Sequence, residues 1–333
     1  MPPAEAAPSQ VDVAIVGAGI AGLAAASVLT AAGRRVAVLE KSRGVGGRMA
    51  TRRLGEAVCD HGAQQFAVKG RAFGNLVAEA EAAGLVDSWC QLFPSAKTAE
   101  GPVTAPLDEA GHARWRGVRG MTALPKQISS QAGFVRLVDE AGGCLTAAAA
   151  IVTVPVPQAI DLFKAGGLMP PQVDSAVWEL LDSITYEPCF SLMLVLDQPS
   201  RLPSPGGLLV ETGPVAWITD NQQKGISPLP SLTIQARGDF SREHFEDDPA
   251  EVTRLLTAQA ATWIDGDPAT AVIDSSLQRW KFAFPETVLK TPLIPLSTSP
   301  PVVCCGDAFG GGSVENAASS GLAVARWLER LPR

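Results

Sequence analysis

The residues able to do chemistry in this chain sit in three glycine-bearing stretches, and each suits a different part of one ligand. The first is Gly17-Ala18-Gly19-Ile20-Ala21-Gly22, with Glu40 eighteen residues beyond its last glycine. Gly17 permits a tight turn, Gly19 lets the backbone approach a pyrophosphate, and Gly22 lets helix and strand pack closely. The phosphates then face backbone N–H groups at the positive end of a helix, with Ala18 and Ile20 in the same contact. Glu40 is placed to accept hydrogen bonds from an adenosine ribose.

The second stretch, Lys41-Ser-Arg43-Gly-Val-Gly46-Gly47-Arg48-Met49, follows Glu40 directly. It sets a flexible loop and a fixed cation beside the pyrophosphate. A guanidinium suits that task because it neutralises charge while donating several directed hydrogen bonds. The third stretch is Gly306-Asp307-Ala-Phe-Gly310, followed by Ser313-Val314-Glu-Asn-Ala317. Asp307 can accept a hydrogen bond from a ribitol hydroxyl. A helix opening at Val314 would aim N–H groups at a flavin N1–C2=O edge, where negative charge gathers on reduction. A single GxGxxG says little. The order of all three stretches carries the reading, and the loop after Glu40, with its glycines and Arg48, points to FAD rather than NAD.

These groups need elements to hold them. Val11 to Val16 reads as a strand, the glycine turn leads into an Ala/Leu-rich helix ending near Gly33, and Arg35 to Glu40 reads as a second strand. That is the first βαβ unit of a dinucleotide fold. Arg71 to Ala83 is expected to be a helix stopped by Gly84, and another is expected to begin near Thr122. Ile151 to Val154 reads as a buried parallel strand. Leu180 to Asp197, Leu208 to Val210, Val215 to Thr219, Leu232 to Ala236 and Leu277 to Phe284 read as strands of an inserted antiparallel sheet. Asp248-Pro249 opens a helix to about Ile264, and the last helix runs to about Leu331. The fold class is α/β, a Rossmann-type FAD-binding domain with an inserted α+β substrate domain. The FAD-binding domain is expected over 10–88, 118–180 and 296–333, and the substrate domain over 89–117 and 181–295.

Bulk properties narrow the classes. A length of 333 residues with 46% apolar composition suits two packed domains. A net charge of −7 and a pI of about 5.1 disfavour wholesale binding to nucleic acid or anionic membranes. The Pro/Ala-rich start has no apolar segment after a basic one, so no signal peptide is read, and Pro, Gly or charge interrupts every long apolar run. Six cysteines lack metal-ligand spacing and suit free thiols in a reducing cytoplasm. Three histidines leave little material for a metal site or a triad, so no metal is expected.

Glu40 to Arg48, then Met49-Ala-Thr-Arg-Arg53, then Asp60-His-Gly-Ala-Gln64 together resemble the renalase branch of the flavin amine-oxidase superfamily. Gly120-Met-Thr-Ala-Leu124, Arg279-Trp280 and the Gly306 to Gly310 stretch extend the likeness from about Val11 to Arg330. The resemblance implies oxidation of 1,2- or 1,6-dihydro isomers of NAD(P)H to NAD(P)+. Hydride goes to flavin N5, and O2 is reduced to H2O2. It also implies that Ala21, Arg48 and Gln64 touch FAD. The chain departs from the family at Gln65, where relatives usually carry an aromatic residue, and at Gln235 and Gln278, where they often carry His. The segment Ala132 to Ala147 is short, which leaves Val135 to Val138 to serve as the strand beside the adenine.

Trp280, with Gln65 and Gln278, is therefore the candidate catalytic set, and Phe66 or Trp217 could serve as a further pocket wall. Lys69, Arg279 and Lys281 are possible anchors for substrate phosphate. Two alternatives stay open. One is a flavin oxidase of primary or secondary amines, which usually needs an aromatic cage, whereas this chain has one tyrosine, Tyr186. The other is a non-catalytic protein that keeps the fold with weak flavin binding. The partners expected are a small-molecule substrate and O2, with no nucleic acid and no membrane; the sequence is silent on oligomeric state.

Overall fold

In the computed structural model, residues 10–105, 111–132, 136–137 and 145–331 are described. The chain divides into two compact units. One comprises Met1–Gly47, Pro125–Thr185 and Thr287–Arg333; the other comprises Arg48–Leu124 and Tyr186–Glu286.

In the first unit the described residues form a six-stranded sheet in the order Arg136–Leu137, Val36–Glu40, Gln10–Val16, Thr146–Val152, Pro301–Cys304, Ile294–Thr298. Neighbours run parallel except the final pair, which is antiparallel. Ile15 pairs with Ile151, which pairs in turn with Val303; all three are fully buried. Helices cover such parallel strands on both faces, which is why they read as short unbroken apolar runs rather than alternating ones. The expected strand over Val135 to Val138 appears as Arg136–Leu137, paired with Leu39 and Glu40. Its flanks, residues 133–135 and 138–144, lie outside the described residues.

The helix Ile20–Ala31 leaves the first strand through the glycine turn, and it packs against the last helix, Val314–Arg330. Two glycines allow close approaches of this helix, Gly22 to the turn and first strand and Gly321 to the last helix. A side chain at Gly22 would strike the carbonyl of Gly17, and one at Gly321 would strike the main chain of Ala21. Leu23, Leu29, Val324 and Ala325 are fully buried along these helices. Burying a leucine contributes about 1.5–3 kcal/mol.

In the second unit the described residues form a seven-stranded sheet. Its order is Val272–Pro285, Tyr186–Leu196, Ser231–Ala236, Val215–Asp220, Gly207–Val210, Ser95–Ala96, Val103–Thr104. Phe190, Leu192, Leu194 and Leu196 lie at the strand period of two, and they pack with Ile218, Leu232, Ile234, Val252 and Leu256 in one buried cluster. A hairpin, Thr51–Leu54 with Ala57–Asp60, and a small sheet of Phe66–Ala67, Arg114–Gly117 and Val86–Cys90 complete it.

Three expectations need amendment. Residues 48–88, assigned to the FAD-binding domain, pack by contact with the second unit, which also begins at Tyr186 and ends at Glu286. The strand read from Leu180 starts only at Tyr186, because Ser175–Asp182 is a helix whose N-terminal Ala176 and Val177 amides are capped by Asp174. The helix read from Asp248 to Ile264 ends at Gln259 and tightens into a 3-10 turn over Ala261–Trp263. A further helix, Val156–Ala165, follows Pro155 and was not read from the sequence.

Candidate functional site

In the first unit the three glycine stretches meet. Gly17 adopts φ 106° and its carbonyl, with that of Val16, accepts from Thr153 Oγ1 at 3.1 and 3.0 Å. A Cβ at Gly17 would lie 2.6 Å from that hydroxyl, so only glycine fits. The Gly46 N–H donates to the Ala18 carbonyl at 2.9 Å, and Gly47 lies against Gly19. At the neighbouring strand end, Gly306 sits beside the Thr153 carbonyl, and its N–H donates to Ser320 Oγ at 2.9 Å. Ser320 Oγ donates in turn to the Pro292 carbonyl at 2.6 Å, so the last helix fixes the turn that carries Asp307.

Glu40 accepts from the Ala18 N–H at 2.8 Å and from the N–H and hydroxyl of Ser42 at 2.9 and 2.7 Å. A carboxylate offers about four acceptor positions, so one remains for a ribose hydroxyl. The helix at Ile20 has no side-chain cap and no acid in its first turn, which leaves its positive end to an anion. Nothing lies within 4 Å of a Cβ built at Gly19, the open approach that a pyrophosphate needs. These features fit the ADP half of FAD. The last helix is different: Ser313 Oγ accepts from the Asn316 N–H at 3.1 Å, and buried Glu315 stands in the first turn. Its positive end is therefore shared between these protein groups and the flavin edge expected beside Val314. Lys41 is exposed, and Met49 is buried at 2% exposure.

In the second unit the remaining candidates gather around residues 60–65. His61 and Trp280 stack with ring centroids 5.4 Å apart and planes inclined by 12°, and the Trp280 indole N–H donates to the His61 carbonyl at 2.7 Å. Burial, followed by the positive charge of Arg52, pushes the His61 imidazole down to about 4, against the pull of Asp60. The ring is thus neutral near pH 7. His61 Nδ1, Gln64 Oε1 and Gln65 Oε1 are buried with no hydrogen-bond partner among the described residues. Unsatisfied buried acceptors are costly, and a ligand bearing N–H groups relieves them.

Arg48 donates to the carbonyls of Phe282 and Ala283 at 3.3 and 3.2 Å and lies 5.7 Å from the Tyr186 ring centroid. Gln278 is engaged at both ends of its amide, accepting from Arg52 at 2.7 Å and donating to the Arg279 carbonyl at 3.0 Å. Arg279 itself donates to the carbonyls of Phe245 and Asp247, so it ties down a turn. Tyr186 is buried, edge-on to Phe282.

Sequence reasoning missed Lys224. It is fully buried, 2.7 Å from Asp60 Oδ2 and 2.6 Å from the Gln64 carbonyl. Burial lowers its basicity and the Asp60 carboxylate opposes that. The setting, Asn-Gln-Gln-Lys-Gly, reads as a solvated turn; the nearby signal was Asp60, an acid inside an otherwise apolar strand. The cysteines among the described residues are all free, and among those residues no helix is long and apolar enough to cross a membrane.

Comparison with known proteins agrees with this architecture. The model of an NAD(P)-binding Rossmann-like domain matches residues 15–80, and that of flavin containing amine oxidoreductases matches residues 125–328. Protein anon-37Cs of Drosophila melanogaster is 41% identical over 70 residues, which cover 21% of this chain but only 14% of that protein. Among solved structures, a protein from Exiguobacterium sp. 255-15 assigned as a protoporphyrinogen oxidase superposes with a TM-score of 0.70 at 13% identity, covering 97% of this chain and 99% of the other. A putrescine oxidase bound to putrescine gives 0.70 at 17% identity, covering 96% and 99%. Likeness at that identity speaks to the fold. Because the amine-oxidoreductase match runs over more than half its length, the chain belongs to the flavin containing amine oxidoreductase family and is an FAD-dependent oxidoreductase.

Proposed function

We propose that this chain is a renalase-like oxidase that converts 1,2- or 1,6-dihydro isomers of NAD(P)H to NAD(P)+, with O2 and a proton leaving as H2O2. The observation that carries the reading is the make-up of the 60–65 cluster. It combines a flat Trp280–His61 stack, the amide oxygens of Gln64 and Gln65, which have no hydrogen-bond partner among the described residues, and the cation Arg52. Its one carboxylate, Asp60, is committed to Lys224. A neutral dihydropyridine can stack on such rings and donate a carboxamide N–H to Gln65, which leaves Gln64 to the cofactor. An alkylammonium finds no free carboxylate in this cluster.

FAD, when bound, supplies the hydride acceptor and passes two electrons to O2. Among the protein groups, Gly17 and Gly19 admit the pyrophosphate, Gly22 seats the helix against the strand, and Glu40 and Asp307 hold hydroxyls. Arg48 offsets charge, and Gln64 with Gln65 offers acceptors. Trp280 orients the substrate ring. A hydride leaving an electron-rich ring needs alignment more than proton transfer, so a neutral His61 is no handicap.

Amine oxidation is the second reading, favoured by the family itself and by the Tyr186–Phe282 pair, which offers aromatic walls. Oxygen uptake by the purified holoprotein separates the two. Rapid uptake is expected with 1,2- or 1,6-dihydro-NAD(P), and little with ordinary NAD(P)H or putrescine. Uptake with the amine alone would overturn the proposal.

A further inference from the structure

Arg52, in the second unit, carries a charge that its neighbours do not neutralise. It is half-buried on the hairpin strand Thr51–Leu54, and its guanidinium donates to Ser276 Oγ at 2.8 Å and to Gln278 Oε1 at 2.7 Å. Both acceptors are neutral. The acid of the adjoining strand, Asp60, is taken up by Lys224, by Thr51 Oγ1 and by the Met121 N–H. Asp274, further along the facing strand, is exposed and accepts from the Ser275 N–H. Arg52 therefore forms no ion pair among the described residues. A guanidinium has five N–H donors, and two are used. Withdrawing a charge from water without a counter-ion is unfavourable, so an arriving anion is stabilised there.

The cation is held in place. Gln278 Nε2 donates to the Arg279 carbonyl at 3.0 Å, which turns the amide oxygen toward Arg52. Ser276, Gln278 and Trp280 alternate along one strand, so their side chains share one face of the sheet, spaced by about 7 Å. Arg52 is thus set beside the Trp280–His61 stack, and its charge is felt at the His61 imidazole. Arg279 and Lys281, expected as phosphate anchors, alternate with these residues and belong to the other face. Arg279 is tied to the carbonyls of Phe245 and Asp247, and Lys281 is exposed.

We propose that Arg52 is the phosphate anchor of the substrate site, binding the phosphate on the nicotinamide side of a dinucleotide whose flat ring lies on the Trp280–His61 stack. Guanidinium–phosphate contacts are charge-assisted and often bidentate, which suits an arginine with donors to spare. This rests on the substrate class proposed above and narrows it to phosphate-bearing forms.

The test is isothermal titration of the full-chain holoprotein with NAD+, nicotinamide mononucleotide, nicotinamide riboside and inorganic pyrophosphate. The mononucleotide and riboside differ only by the phosphate. The mononucleotide and NAD+ should each bind about tenfold or more tightly than the riboside. Arg52→Gln should remove most of that advantage and leave riboside binding unchanged, and Arg52→Lys, which keeps the charge without the fork, should fall between. Added salt should weaken the phosphorylated ligands and leave the riboside unmoved. If Arg52→Gln does not fold, the wild-type comparison at low and high salt decides alone. Equal affinity for mononucleotide and riboside, no binding of either phosphorylated ligand, or an equal loss of all three in Arg52→Gln would overturn the proposal. Binding of pyrophosphate alone would also overturn it, marking an anion site without a nucleotide. Oxygen uptake with the dihydro isomers is a separate readout. Its absence beside Arg52-dependent mononucleotide binding would sink the reaction and keep the anchor; uptake beside Arg52-independent binding would do the reverse.

Discussion

Trp280 and His61 hold each other twice: the indole N–H donates to the His61 carbonyl at 2.7 Å, and the two rings stack 5.4 Å apart. Trp280 lies on the edge strand of the seven-stranded sheet, and His61 directly follows the hairpin. The pair therefore sets the spacing between those elements. Trp280→Phe keeps an aromatic face but loses the hydrogen bond. It should lower stability by about 1 kcal/mol in urea unfolding and reduce turnover more than cofactor content. Unchanged stability would mean that the bond carries no weight.

The depressed basicity of His61 gives a pH signature. Between about 6.5 and 4 the unfolded chain binds a proton on this imidazole that the folded one does not, so stability falls on acidification through that window. The full effect is on the order of 3 kcal/mol for such a displacement. Urea midpoints from pH 7 to pH 4 should slope accordingly, and His61→Gln should flatten the slope. An equal slope in the variant would assign it to other groups.

Gly321 abuts the main chain of Ala21, just past the glycine turn. Gly321→Ala should force the two helices apart, cost about 1–3 kcal/mol or more, and weaken FAD retention at the same time. Calorimetry together with flavin occupancy checks both. A stable variant with full occupancy would show that the helices give way cheaply.

Arg48→Ala and Asp307→Ala should each lower flavin occupancy after gel filtration. A hydrogen bond to a charged group is worth about 1.5–3 kcal/mol, enough for a tenfold loss or more. Arg48→Ala also frees the carbonyls of Phe282 and Ala283, so a small loss of stability should accompany it. Full occupancy in either variant would leave that residue only a structural part.

The nucleotide-binding half was legible because glycine restricts so sharply what can lie near it. Gly17 and Gly22 each announce a close approach and Gly46 a positive φ, and the strands at Val13 and Ile151 are buried on both faces, so they read as apolar runs. The second unit was harder. Its strands at Phe190, Ile218 and Ile234 were visible from their alternation, but residues 48–88 gave no local sign that they would pack with them. Lys224 was missed for a physical reason: a lysine in a polar turn is ordinarily solvated, and only the distant Asp60 makes its burial tolerable. The helix at Ser175 was hidden because Leu180 and Leu181 extend an apolar run into the strand at Tyr186.

The substrate claim is tested most directly by anaerobic mixing of the yellow holoprotein with 1,2- or 1,6-dihydro-NAD(P), following the flavin band near ~450 nm. Rapid bleaching by the dihydronicotinamide isomer is expected, and a persistent band with putrescine or a benzylic amine. Bleaching by the amine, with the band unmoved by either isomer, would contradict it.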